Sequence, residues 1–369
     1  MGFTKSTESS YNYTDLDEDE KVTILFKPAC FCQENELCKG TTPYSQLLTL
    51  LQLIVETTDE LTWNRWQIYK QGLEILLKKW DTLCNIEQNH VYKKLSLQRK
   101  EDLLSQIALK TFERNEYFFK QQELEQYICD YIRNLPDITD LETLQLNSSA
   151  ILKSIQAQHG LLVELAKGVY SFCDRRFHEY FAAREIINSP DPQTLEKALQ
   201  NLVSHVYDTH WREVFLLVVS MLHNSDYLLT LIKHQTNAVV ARDEELQAFL
   251  AWNNQKSRTG TRYKPAAFRA MTVALVLDID ADFACSLDDR LAYDLGSNPT
   301  LVYNYTVSLQ NYQFSKQQKQ ALKQYYDANK LLWNCLHQAH YVNRTLRQEL
   351  EKTLLVHATD EIYSDLRIV

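Results

Sequence analysis

Between residues 159 and 187 the hydrophobic pattern changes period once. Leu161, Leu162, Val163 and Leu165 form a short apolar run, Ala166-Lys167-Gly168 interrupts it, and Val169, Tyr170 and Phe172 resume it. Two short apolar runs around a glycine-bearing loop predict a β-hairpin, with Gly168 at the point where a positive φ is needed. From Asp174 onward Phe177, Tyr180, Phe181 and Ile187 recur at close to helical spacing. Asp174 stands at the N-cap of that helix, where its carboxylate can accept from the first free backbone N–H groups. A hairpin that closes a set of helices is the pattern of a winged-helix domain.

Upstream, residues 43–56 are apolar on nearly all sides, as in a buried helix. Trp66, Ile68, Tyr69, Leu73, Leu76, Leu77 and Trp80 repeat at helical spacing and predict a long helix over 63–84. Further helices are expected at 96–114, 121–133 and 147–158, with a turn at Asn115-Glu116 and an internal loop running from Pro136 through 137–142. These three helices and the hairpin make up the winged-helix unit. Ser189-Pro190-Asp191-Pro192 then breaks the chain. Beyond it the pattern predicts paired helices at 193–203, 211–222, 226–235 and 243–252, a basic loop at 257–265, a helical run over 266–295, and a closing helical hairpin at 313–336 and 344–355. An array of antiparallel helix pairs is the expectation.

Composition narrows the class. The 369 residues are 45% hydrophobic and 24% charged with only seven glycines and seven prolines, the profile of a mainly α protein. Residues 1–22 are polar and acidic, with the run 15–20 predicting disorder. A net charge of −9 argues against general nucleic-acid binding, which needs clustered cations to neutralise phosphates. Eight scattered cysteines, and no cationic and apolar leader pattern at the start, fit a reduced, cytoplasmic setting. No apolar run reaches the roughly 18–20 residues of a membrane span. Cys30, Cys32 and Cys38 lack a nearby fourth ligand for a tetrahedral site, so no metal is expected.

The run G-L-L-V-E…G-V-Y-S-F-x-x-x-x-F-x-E-Y-F-A-A-R-E-I resembles the winged-helix segment of NACHT-type signal-transduction NTPases, particularly the bacterial and cyanobacterial relatives of the animal NOD-like receptors. The similarity extends to WNRWQIYKQGLEILLKKWD, VYKKLSLQRKEDLLSQIAL and LQNLVSHVYDTHWREVFLLVVSML. It implies an ATPase core next to such a region. The chemistry of that core needs a Gly-rich loop, a Lys for the β/γ-phosphates and a Ser/Thr for Mg²⁺. The glycines at 2, 40, 72, 160, 168, 260 and 296 nowhere give the G-x-x-x-x-G-K spacing. The chain therefore looks like the post-ATPase part of such a protein, truncated or acting as a remnant, not an enzyme and with no cofactor of its own.

The resemblance also singles out three positions. Relatives carry a proline that closes over the adenine just before a Leu-rich helix; here 47–55 matches that helix, and Pro43 lies about two residues too far upstream. Several relatives place a nucleotide-sensing His in F-x-H-x-x-F-x-E-Y-F, where this chain has Asp174. A carboxylate there repels phosphate, which favours the N-cap reading. His178, one turn on, is the substitute candidate, against the alternative of an exposed helix histidine. Cys173 and His178 form no credible nucleophile and base, since no third group orients the imidazole.

A winged helix invites a DNA-binding reading. The helix at 147–158 carries only Lys153, and the hairpin only Glu164 and Lys167. That is too little charge for groove and phosphate contacts. Arg175 and Arg176 follow the wing, and solvated faces explain the dispersed Lys/Arg pairs.

The sequence thus predicts four parts: a divergent, partly disordered segment (1–42), a helical arm (43–95), a winged-helix domain with one small hairpin (96–188), and a C-terminal helical domain (189–369). The expected function is a non-catalytic regulatory or sensor portion of a NACHT-like signalling NTPase in prokaryotic signal transduction or defence. It would act through protein partners or other parts of such an NTPase, with no nucleic acid and no membrane. The alternative is a winged-helix transcription regulator.

Overall fold

The computed structural model describes residues 67–73, 96–135, 142–159, 161–259, 262–297, 309 and 312–356. Pro43, the Leu-rich segment, the Cys30–Cys32–Cys38 cluster, the predicted disorder of 1–22 and most of the arm lie outside them. The chain divides into two compact units, Met1–Glu185 and Ile186–Val369.

In the first unit, residues 67–73 are helical. Helix α1 (Leu97–Glu113) opens with the Ser96 hydroxyl accepting from the Arg99 N–H. It ends at Asn115, whose φ of 56° reverses the chain. Strand β1 (Phe119–Lys120) leads into α2 (Gln121–Arg133), and α3 (Glu142–His159) packs against α2. The hairpin is β2 (Leu162–Ala166) and β3 (Val169–Phe172), followed by α4 (Arg175–Ile187).

The structure corrects one helix boundary here and adds one strand to the predicted hairpin. The helix read as 147–158 begins at Glu142, within the presumed loop. Asn147-Ser148-Ser149 lies inside the helix, and Ser148 is buried. The sheet, too, has three strands, in the order β1-β3-β2. Phe119 pairs with Tyr170 and Lys120 with Val169, so the aromatic segment after the first turn caps the hairpin as a third, antiparallel strand.

On the other side of β3, Leu162 pairs with Phe172 and Ala166 with Val169, with a bulge between Glu164 and Ala166. Gly168 sits at φ 73°, a conformation glycine adopts without the steric cost of a Cβ. Its N–H donates to the Glu164 carboxylate and its carbonyl accepts from Gln121 N–H, tying the wing's tip to the start of α2. Phe119, Tyr170, Phe172 and Phe181 are almost fully buried together with Leu104, Ile107 and Ile128. Each such side chain contributes roughly 1.5–3 kcal/mol through burial, so this layer contributes substantially to the unit's stability. Arg184 spans α4 and α1, with one guanidinium nitrogen 2.8 Å from Asp102 and another 3.0 Å from Glu101.

The second unit is helical throughout its described residues. It comprises α5 (Pro192–Ser204), a 3₁₀ turn (Thr209–Trp211), α6 (Arg212–Met221), α7 (Asp226–Ala238), α8 (Glu244–Arg258), α9 (Pro265–Leu277), α10 (Asp282–Leu287), α11 (Asp289–Ser297), α12 (Lys316–Gln338) and α13 (Arg344–Lys352). Helix α12 packs against α6, α7 and α9, and α8 against α9. Its start is a capping box, Ser315 accepting from Gln318 N–H while the Gln318 side chain accepts from Ser315 N–H.

The helical run expected over 266–295 is divided into three helices. Asp278 adopts φ 55° and ψ 49°, a left-handed cap that ends α9. Asp288 separates α10 from α11, its carboxylate accepting from the Arg290 and Leu291 N–H groups and from Lys264 N–H. Helix α8 runs six residues past its predicted end, taking in the start of the presumed basic loop. No helix among the described residues is long and apolar enough to cross a membrane.

Candidate functional site

The residues that the sequence singles out converge where β3 turns into α4. Asp174 is the last residue before the helix, and its Oδ1 accepts from Arg176 N–H at 2.7 Å. The same carboxylate takes the Arg176 guanidinium at 2.8 and 3.1 Å. It therefore satisfies a free N–H at the helix start and neutralises the adjacent cation. A phosphate approaching this turn meets a carboxylate that already occupies the helix's positive end. Burial, reinforced by the Asp174 charge, pushes the Cys173 thiol up to about 12, so at neutral pH it carries no thiolate for nucleophilic attack.

His178 is buried, which corrects the surface reading of that residue. Its Nε2 lies 2.9 Å from Thr111 Oγ1 and 3.0 Å from the Ala108 carbonyl. The carbonyl can only accept, so the hydrogen-bond pattern assigns the proton to Nε2. The Thr111 hydroxyl passes its own hydrogen to Ile107 O at 2.8 Å. The ring stacks on Phe172 at 4.8 Å and 17° and meets Phe112 and Phe119 edge-on. Its described contacts join β3 and α4 to α1; they are the contacts of a core residue.

The two arginines after the wing are also engaged. Arg175 Nε donates to Glu179 at 2.8 Å and its guanidinium lies over the Tyr117 ring, while Arg176 is held by Asp174. On α3, Lys153 is exposed and is the one cation of that helix.

Three perturbed groups carry no sequence signal. Burial, with Asp102 adding, raises the Glu185 carboxyl to about 7. In the second unit Lys233 and Arg269 are buried at the C-terminal end of α13. Lys233 Nζ donates to Thr353 O, and Arg269 donates to Lys352 O and Leu354 O at 2.8 and 2.7 Å. Tyr325 donates to Val356 O, and Asn329 accepts from Leu355 N–H, where φ is 56°. These cations answer the negative end of the helix dipole and carbonyls that have no intrahelical partner. Burial lowers Lys233 to about 7 and Arg269 to about 10.

A three-helix, three-stranded wing with an aromatic core, in a chain that also carries a separate helical unit, defines a winged-helix protein whose turn is built for packing. Residues 65–186 match the family model described as the winged helix-turn-helix domain C-terminal to NACHT. Residues 297–357 match NACHT C-terminal helical domain 2. Both matches are to domains C-terminal to NACHT, and together they support a post-ATPase, NACHT-family C-terminal region. Neither match is to a nucleotide-binding core. The comparison with curated proteins gave no match.

Proposed function

We propose that this chain is the non-catalytic regulatory or sensing portion of a NACHT-like signalling NTPase, acting in the cytoplasm of a prokaryote in signal transduction or defence, through protein contacts. The observation that carries the reading is the Asp174–Arg176 pair at the start of α4, in a chain with two post-NACHT domains. Where relatives are expected to present a histidine to nucleotide phosphate, this chain presents an internally paired carboxylate. Regulation therefore falls to surfaces that meet an ATPase module or a signalling partner. The transcription-regulator reading loses support from the single cation on α3 and the engaged arginines beside the wing.

The test is to add the purified chain to a separately expressed NACHT ATPase module and follow both complex formation and ATP turnover. The reading predicts no turnover by the chain alone and a changed rate when the two are combined. Turnover by the chain alone, or an ATPase rate indifferent to saturating chain, would contradict it.

A further inference from the structure

The second unit contains a cleft of about 970 Å³ whose rim has the opposite sign to the chain as a whole. Arg258 closes α8, Lys264 precedes α9 and Lys352 closes α13, and all three are exposed at the cleft, with Glu351 the one acidic residue lining it. The side chains of Arg258 and Lys352 have no hydrogen-bond or ion-pair partner among the described residues. The floor is apolar, formed chiefly by Leu287, Trp333 and Val356. Arg269 also lines the cleft, but it is committed to the Lys352 and Leu354 carbonyls, so the wall that carries Lys352 is fixed by buried hydrogen bonds.

We propose that this cleft is a binding site for an acidic peptide segment with interspersed apolar side chains. A bare inorganic anion would satisfy the rim and leave the apolar floor in water, and an apolar ligand would leave the unpartnered cations unanswered. The volume stands at the upper end of the ~300–1,000 Å³ range of ligand pockets, which suits several side chains better than one ion. Successive side chains of an extended peptide point to opposite faces, so one face can meet Leu287 and Trp333 while neighbouring carboxylates reach the rim. In a chain of net charge −9, an acidic partner is repelled on average and drawn to the place where the local sign reverses. The site belongs to the second unit alone, and its test is independent of ATPase regulation.

The experiment is fluorescence anisotropy of the full chain with a fluorescein-labelled peptide alternating glutamate and leucine, beside a control peptide with glutamine for glutamate. The glutamate peptide should bind saturably and weaken as salt rises, and the glutamine peptide should not bind. Arg258→Glu with Lys352→Glu should weaken binding by about tenfold or more, because rim charges govern encounter and selectivity. Lys319→Glu, an exposed charge change outside the cleft lining, should leave it unchanged. Circular dichroism of the variants checks that the fold survives. Equal binding of the two peptides, wild-type affinity in the double variant, or displacement of the peptide by inorganic phosphate at the peptide's own affinity would each overturn the proposal.

Discussion

His178 Nε2 and Thr111 Oγ1 lie 2.9 Å apart, joining the first turn of α4 to the last turn of α1 across 67 residues of sequence. Thr111 can accept this bond because its own hydrogen goes to Ile107 O. The histidine ring is also stacked on Phe172, so the same residue carries a polar link and an aromatic contact. The geometry explains why a polar residue stands in this aromatic layer: its N–H finds partners, and its ring fills space.

The two roles separate by mutation. Thr111→Val keeps the shape and leaves His178 its bond to Ala108 O, so the loss should be that of one hydrogen bond, about 0.5–1.5 kcal/mol. His178→Ala empties a ring-sized space among Phe112, Phe119 and Phe172 and should cost about 2–5 kcal/mol, as large-to-small core changes do. Urea unfolding of both variants measures the order. A larger loss for Thr111→Val would mean that the polar link, not packing, holds the turn.

Phe181 and Asp174 provide a second contrast. Phe181 is fully buried against Tyr180 and Phe172, and Phe181→Ala should cost about 3–5 kcal/mol. Asp174→Ala removes a cap and a partly exposed ion pair, at about 0.5–2 kcal/mol. Equilibrium unfolding followed by tyrosine and tryptophan fluorescence checks both. A neutral Phe181→Ala beside a collapsed Asp174→Ala would contradict the aromatic core.

Lys233 predicts a pH dependence. Burial, with the Arg269 charge adding, depresses its folded-state value from 10.5 to about 7. Between these values the unfolded chain holds a proton that the folded chain has released, so the contribution of Lys233 to stability rises with pH. Below about 7 both states are protonated and the contribution is flat. The urea midpoint of wild type, relative to Lys233→Met, should therefore climb between pH 7 and about pH 9, below the ordinary lysine value. A constant difference across that window would show that the ammonium stays charged in the fold.

Much of the first unit was legible because its signals are strong: two short apolar runs flank the Gly168 loop between Leu161 and Phe172, and Phe177 to Ile187 recurs at helical spacing. Strand β1 was not, since two residues carry no period and Phe119 pairs with Tyr170 only after a long excursion. The division of 266–295 was hidden because apolar spacing continues through Asp278 and Asp288, and the backbone reversal and the carboxylate caps that interrupt it are tertiary outcomes. The sequence offers His178 as a substitute nucleotide-facing residue or as an exposed helix histidine, and only the fold reveals its partners on α1. Lys233 and Arg269 left no trace because their carbonyl acceptors lie 120 and 85 residues away.

The charge pattern of the wing predicts no nucleic-acid binding. At about 0.15 M salt, screening acts within about 8 Å, and Lys153 has no second cation on its helix with which to act. A mobility-shift assay with duplex DNA should show no complex. A salt-sensitive complex abolished by Lys153→Glu would favour the transcription-regulator reading.

The central claim is that this chain regulates without holding nucleotide. A ligand that binds the folded state raises its stability by RT ln(1 + [L]/Kd), so a thermal-unfolding series in Mg-ATP and in ADP reads binding directly. The account predicts no change in the unfolding midpoint at any concentration of either nucleotide. A midpoint that rises and saturates in the micromolar range of ADP would contradict it.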